Sequence, residues 1–313
     1  MSKFKVFLAG VTYSKKDNWI VEQDYPVLLS QLNDWGNIKK FVEDRQQGKL
    51  HNSFFIDSGA FTALTKGVEI KVSDYVDKID QIGDNITMFA NLDVIPDMSY
   101  LKTGVITHSE LFAAKDCVER GWDNFMYIQQ HSKYADKCLF VYHRNDGIQY
   151  LDKAIEWYLQ HPNMQYIGLG GMANGIGESF KWCVDTCNYI KKRLPNIKIH
   201  LFGYTRMNEL QHINADSTDS TVWIMNSIYG LLITPFGKLF ISDRQTSRPN
   251  SFDCWSKEEQ QKIIKWVTDF GFDFETLRKD QNERLKYNAK YMQYWADHYE
   301  YKPYKAVGKK SLL

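Results

Sequence analysis

The chain predicts an α/β fold, a TIM-type (β/α)8 barrel with a C-terminal helical extension, and three observations carry that expectation. Short apolar runs rich in β-branched and aromatic residues end abruptly in Asp or Gly: residues 54–56 in Asp57-Ser58-Gly59, 88–92 in Asp93, 166–169 in Gly170-Gly171, and 197–202 in Gly203. These runs alternate with stretches of helical spacing, as parallel strands joined by crossover helices do. No Gly-rich dinucleotide fingerprint follows the first strand, which favours a closed barrel over an open doubly wound sheet.

In chain order, residues 5–9 read as the first strand. Residues 25–47 carry helical spacing at Leu28, Leu29, Leu32, Trp35, Ile38 and Phe41 before Gly48. A strand at 53–57 is followed by a helix at 72–82, and a strand at 87–93 by a helix at 109–120 opening on the cap candidate Ser109. Next come a strand at 138–143, a helix at 148–160, a strand at 165–170, an amphipathic helix at 178–194, and strands at 197–203 and 214–219. The eighth strand is expected from 230–235 with 238–242, as part of a hairpin around Phe236-Gly237. Residues 1–250 thus form the expected catalytic barrel. Residues 251–313 form helices at 258–270 and 277–298, then a tail mixing Tyr299, Tyr301 and Tyr304 with Lys302, Lys305, Lys309 and Lys310, packed on the barrel.

Composition narrows the class. Of 313 residues, 43% are hydrophobic, 15% aromatic and 25% charged, ample for a buried core, and no apolar run approaches the roughly 20 residues that span a bilayer. No secretory leader is recognisable at Met1-Ser2-Lys3-Phe4-Lys5, so a cytoplasmic, membrane-free protein is expected. The odd set Cys117, Cys138, Cys183, Cys187 and Cys254 reads as reduced thiols. A net charge of +1 excludes a polycation that coats nucleic acid indiscriminately, so any such partner must be held by a local patch.

Chemistry is expected at the strand ends. Asp57 breaks a strand into Ser58-Gly59-Ala60-Phe61, whose glycine permits close approach and whose Phe61 could stack on a ring; an Asx turn or helix cap needs the same residues. Asp93 lies between apolar neighbours, where a carboxylate is costly without a partner or a ligand's N–H groups. The segment 215–223, with Asp216, Asp219 and four hydroxyls, also fits a capping loop. Gly170 and Gly171 lack the P-loop and Rossmann spacings and better suit bare amides facing a carbonyl of a flat ligand. His143 ends a strand as either a scaffold residue or a site residue. No metal set is complete, since Cys183-x3-Cys187 lacks partners.

Taken in order, Asp57-Ser58-Gly59-Ala60-Phe61, Asn91-Leu92-Asp93, the run from Tyr166 to Met172, the run from His200 to Thr205, and Asp219-Ser220-Thr221-Val222-Trp223 resemble the tRNA-guanine transglycosylase superfamily. The resemblance is nearest to its shorter phage-type members and to the DNA 7-deazaguanine transglycosylases, and it runs over residues 53–242, roughly 60% of the chain. It implies an enzyme that exchanges guanine in a nucleic acid for a free 7-deazaguanine base, without a cofactor. It implies Asp219 as nucleophile and Asp57 as general acid/base. Asp93 would read the base's N–H edge, Gly170 and Gly171 would face its carbonyl, and Phe61 and Met172 would sandwich the ring. Ser58, Gly59 and His143 complete the expected substrate contacts. Where the tRNA enzymes carry a C-x-C-x2-C plus His zinc site, this chain offers only Cys254, and the glutamine after the Asp-Ser-Gly-Gly-Phe pattern is Thr62; DNA is therefore favoured over tRNA. Asp216 competes with Asp219 for the nucleophile's place.

Exchange by two displacements at C1′ follows the logic of retaining glycoside hydrolysis, with an incoming base in place of water. The target must be single-stranded or flipped out. Arg244 and Arg248 are candidate phosphate contacts; Lys191, Lys192 and Arg193 are candidates too, but at a helix end they better fit a solvated dipole complement. A homodimer or an accessory protein could supply further binding surface. The alternatives are an N-glycosylase or nucleoside hydrolase that admits water to the same carboxylates, and a catalytically silent nucleic-acid-binding barrel.

Overall fold

The structure is a computed structural model that describes residues 3–12, 18–95, 108–144, 146–172, 179–244 and 251–304. Eight parallel strands close into a barrel in sequence order. They are β1 (Lys5–Ala9), β2 (Val27–Ser30), β3 (Phe54–Asp57), β4 (Met88–Ala90), β5 (Cys138–His143), β6 (Tyr166–Gly170), β7 (Lys198–Leu201) and β8 (Ser217–Ser220). The last strand returns to the first, pairing Phe7 with Asp219.

Helices follow the strands on the outside: α1 (Asn18–Glu22), α2 (Trp35–Gln46), α3 (Ala60–Lys66), α4 (Val72–Ile82), α5 (His108–His131), α6 (Ile148–Gln160), α7 (Ser179–Arg193), α8 (Met207–Leu210) and α9 (Val222–Ile228). An antiparallel pair, β9 (Leu231–Thr234) and β10 (Gly237–Phe240), stands apart from the barrel. The chain ends in α10 (Lys257–Asp269), α11 (Phe274–Lys279) and α12 (Gln281–Asp297). The capping box of Ser256 and Glu259 starts α10, and Asp280 accepts from the amides of Asn282 and Glu283 to start α12. Helix α12 packs on both the barrel and the hairpin: Gln293 Nε2 donates to the Val6 carbonyl of β1 at 2.9 Å, and Asn288 Oδ1 accepts from Ile233 N of β9 at 2.8 Å.

Two apolar layers result. The larger fills the space between strands and helices. The smaller fills the barrel itself with Phe7, Ala9, Leu28, Phe55, Met88, Ala90, Leu139 and Val141, against which Tyr166 and Phe202 pack. Side chains alternate along a strand, so Asp57, two residues past Phe55, and His143, two past Val141, continue the inward rows to the carboxyl end. Asp219, paired with inward Phe7, does the same.

The sequence expectation misplaced one strand. Val27–Ser30 is β2, not the start of a helix, and the helix begins only at Trp35. A four-residue apolar run fits both periods; Pro26 immediately precedes it, and the turn at residues 31–33 separates it from α2. The hairpin at 231–240 therefore supplies no barrel strand. The hydroxyl-rich segment is not a capping loop but β8: its Thr218 hydroxyl lies 2.8 and 2.7 Å from the carbonyl oxygens of Leu201 and Tyr204, which share its one O–H, so a polar strand is satisfied inside the fold. Arg248 and residues 305–313 of the basic tail lie outside the described residues. Among the described residues no helix is long and apolar enough to cross a membrane, and all five cysteines are free.

Candidate active site

Asp57 closes β3, where the ladder gives way to α3. Its Oδ2 accepts from Gly59 N at 3.0 Å, so the Asx turn foreseen as the alternative role is present together with the inward placement. Gly59 caps α3 at φ +79, and a Cβ there would come 2.7 Å from Leu32 Cβ and 2.9 Å from Ser30 Oγ. Only glycine lets this turn pass so near β2. Burial first, and then the charge of Asp93, push the Asp57 carboxyl up to about 7; Asp219 adds to the rise, while the Gly59 and Ser58 amides oppose it. Asp57, Asp93 and Asp219 therefore share one electrostatic environment.

Asp93 lies past the end of the short β4. There Asn91 replaces the ladder with its side chain, accepting from Val141 N at 3.0 Å and donating to the Gly121 carbonyl at 3.2 Å. Asn124 donates to the Leu92 carbonyl at 2.8 Å. The loop so fixed carries Asp93 to partners on both sides: Ser58 Oγ donates to its Oδ1 at 3.1 Å, and His143 Nε2 lies 3.0 Å from its Oδ2. On the other edge of the ring, His143 Nδ1 is 3.3 Å from Asp146 Oδ2, which also accepts from His143 N at 2.7 Å. Burial pulls the imidazole down, but the hydrogen bonds it donates to Asp146 and Asp93, together with their negative charges, outweigh it and raise the ring to about 10.

Asp219 sits on β8. Its Oδ1 accepts from Gly203 N at 2.8 Å and lies 3.3 Å from His200 Nε2. His200 is fully buried, its Nδ1 2.9 Å from Ser217 Oγ, and its ring meets Phe7, Phe55 and Phe202 edge-on at 5.7, 4.8 and 4.7 Å. Phe7 and Phe55 belong to the apolar side chains that fill the barrel, and Phe202 packs against them. Asp216 stands at the opposite end: it precedes β8, and its Oδ2 accepts from Ile199 N and Lys191 Nζ, both at 2.8 Å. Asp216 and Lys191 are thus a staple at the amino end of the barrel, remote from the site, and Lys191 is withdrawn from the phosphate candidates. Arg193 on the same helix stacks on Tyr189, 3.5 Å from the ring centroid.

No protein-family model matches the chain, and no curated protein matches it. The functional reading therefore rests on the residues themselves. The structure brings Asp57, Ser58, Gly59, Asp93, His143, Gly170 and Asp219 to one end of the barrel. Gly170 faces His143 across the β5–β6 ladder. Gly171, at φ +80, turns the chain away from β6. Phe61, 64% exposed on the first turn of α3, offers a ring face. Met172 is 4% exposed, with Sδ 2.9 Å from Cys183 Sγ, so it packs beneath the surface. Arg244 is exposed in the turn after β10.

The sequence reading missed His200, Asp146 and Asn91 as site builders. Their signals were faint: a histidine within an apolar strand, an aspartate three residues past His143, and an asparagine that ends a strand. It also passed over Arg144 and Arg206, which stand on the loops after β5 and β7, at the same end as Asp57. Among the described residues no group of three His, Cys, Asp or Glu is placed to hold a metal ion.

Proposed function

We propose that this protein is a base-exchange transglycosylase that replaces guanine in a nucleic acid, with DNA favoured over tRNA, by a 7-deazaguanine derivative through a covalent Asp219–sugar intermediate. The observation that carries the reading is the pairing of two carboxylates with different environments at one barrel mouth. Asp57 is raised to about 7, while Asp219 is oriented by Gly203 N–H and His200. A carboxyl near 7 can both give and take a proton at neutral pH, as departure of one base and arrival of another require.

In this reading Asp219 attacks C1′ with its Oδ2 while Oδ1 remains held, and Asp57 protonates the departing guanine. The incoming base returns that proton to Asp57 as it displaces the aspartyl ester, which regenerates both groups. Asp93 keeps lone pairs free on both oxygens beyond its bonds to Ser58 and His143, enough for two N–H groups on one base edge. Phe61 would stack on the extruded base, and Arg144 and Arg206, on the loops after β5 and β7, are candidate contacts for the flanking phosphates.

The test is to incubate the protein with labelled guanine and guanine-containing DNA or tRNA, digest to nucleosides, and analyse by mass spectrometry. Label in one polymer supports exchange. Release of free guanine without uptake supports an N-glycosylase, and binding without either reaction supports a silent nucleic-acid-binding barrel.

A further inference from the structure

His143 offers more than a strand end. Both ring nitrogens face carboxylate oxygens, Nε2 toward Asp93 at 3.0 Å and Nδ1 toward Asp146 at 3.3 Å. A neutral imidazole has one N–H and would leave one of these contacts lone pair to lone pair; the imidazolium satisfies both. The ring is also fixed in space. Asp146 Oδ2 accepts from the His143 amide as well, and Asp146 N returns a bond to the His143 carbonyl at 3.0 Å, closing a tight loop. Across the ladder, a Cβ on Gly170 would stand 2.7 Å from His143 Cδ2, so the glycine makes room for the ring.

We propose that His143 is a positioning residue: a fixed imidazolium, clamped by Asp146, that aims the Asp93 carboxylate into the pocket and offsets its charge beside Asp57. The proposal rests on the base-exchange reading for the identity of the ligand, a purine base presenting adjacent N–H groups. The charged groups that bear on the ring are Asp93 and Asp146, with Asp57 beyond Asp93. Without the imidazolium, the negative charge of Asp93 beside Asp57 would go unopposed by His143, and Asp57 would hold its proton to higher pH still.

The experiment uses the full chain as wild type, H143Q, which keeps a donor without the charge, and D146N, which removes the clamp. Ring-nitrogen NMR of the wild type at about pH 8 should show both His143 nitrogens protonated. Guanine binding, followed by calorimetry across pH, should weaken about tenfold in H143Q. The limb of the exchange pH profile that belongs to Asp57 should move up by about one unit, with KM for the free base rising more than kcat falls. D146N should shift the His143 titration downward. A singly protonated His143 at pH 8 in the wild type overturns the proposal, and so does an H143Q protein that keeps its guanine affinity within about twofold and its pH limb in place. Absence of guanine binding by the wild type at every pH overturns the base-exchange reading instead, and the clamp then stands or falls on the ring-nitrogen result.

Discussion

Replacing Asp57 with Asn isolates the cost of holding an acid in this pocket. The carboxyl rises from 3.8 to about 7, a change of about three units, which at ~1.36 kcal/mol per unit sets a ceiling of about 4 kcal/mol. Asp57 keeps partial access to solvent, which reduces the expected effect to about 2 kcal/mol. The folded protein holds this proton more tightly than the unfolded chain. Wild-type stability therefore falls as pH rises from about 4 through about 7, and the loss is complete above that. Asn cannot ionise, and its Oδ1 can still accept from Gly59 N. Asp57→Asn should thus be more stable than wild type by about 2 kcal/mol near pH 8.5, with the gap closing near pH 4. Urea unfolding of both proteins at several pH values gives the difference directly. A gap that is constant with pH, or a variant less stable than wild type at pH 8.5, would refute the reasoning.

Three further outcomes are expected. His143 is raised from 6.5 to about 10, so the stability it contributes is present below about 6.5 and lost as pH rises through about 10; His143→Gln should cost about 2 kcal/mol near pH 6 and less near pH 10, read by denaturant unfolding. Asp219→Asn should abolish exchange with little change in melting temperature, whereas Asp216→Asn should keep exchange and lose about 1–2 kcal/mol through the broken Lys191 staple, separated by an activity assay beside calorimetry. Gly170→Ala should displace the His143 ring, lowering guanine affinity and costing about 1–3 kcal/mol, visible as altered His143 resonances.

Most of the barrel is legible in the chain because parallel strands buried on both faces must be apolar, and their ends must be polar where they meet the pocket. Asp57 and His143 could be placed from this rule alone. β2 could not, since Val27–Ser30 is too short for its period to exclude a helix, and β8 could not be read as buried because Ser217, Thr218 and Ser220 look like loop residues until the partner carbonyls are known. The choice between Asp219 and Asp216 was equally hidden: they are three positions apart in sequence, but a strand carries that interval to opposite ends of the barrel. That Met172 packs against Cys183 is likewise visible only in the fold. His200 and Asp146 are invisible as site residues in sequence because their partners lie on other strands or across a turn.

The central claim is that Asp219 forms a bond to the sugar while Asp57 manages the proton. Intact-protein mass spectrometry after acid quenching of a reaction with a guanine-containing oligonucleotide tests it most directly. The account predicts an oligonucleotide adduct, less guanine, mapped to Asp219 and missing in Asp219→Asn. An adduct on another residue, or exchange that persists in Asp219→Asn, would contradict it.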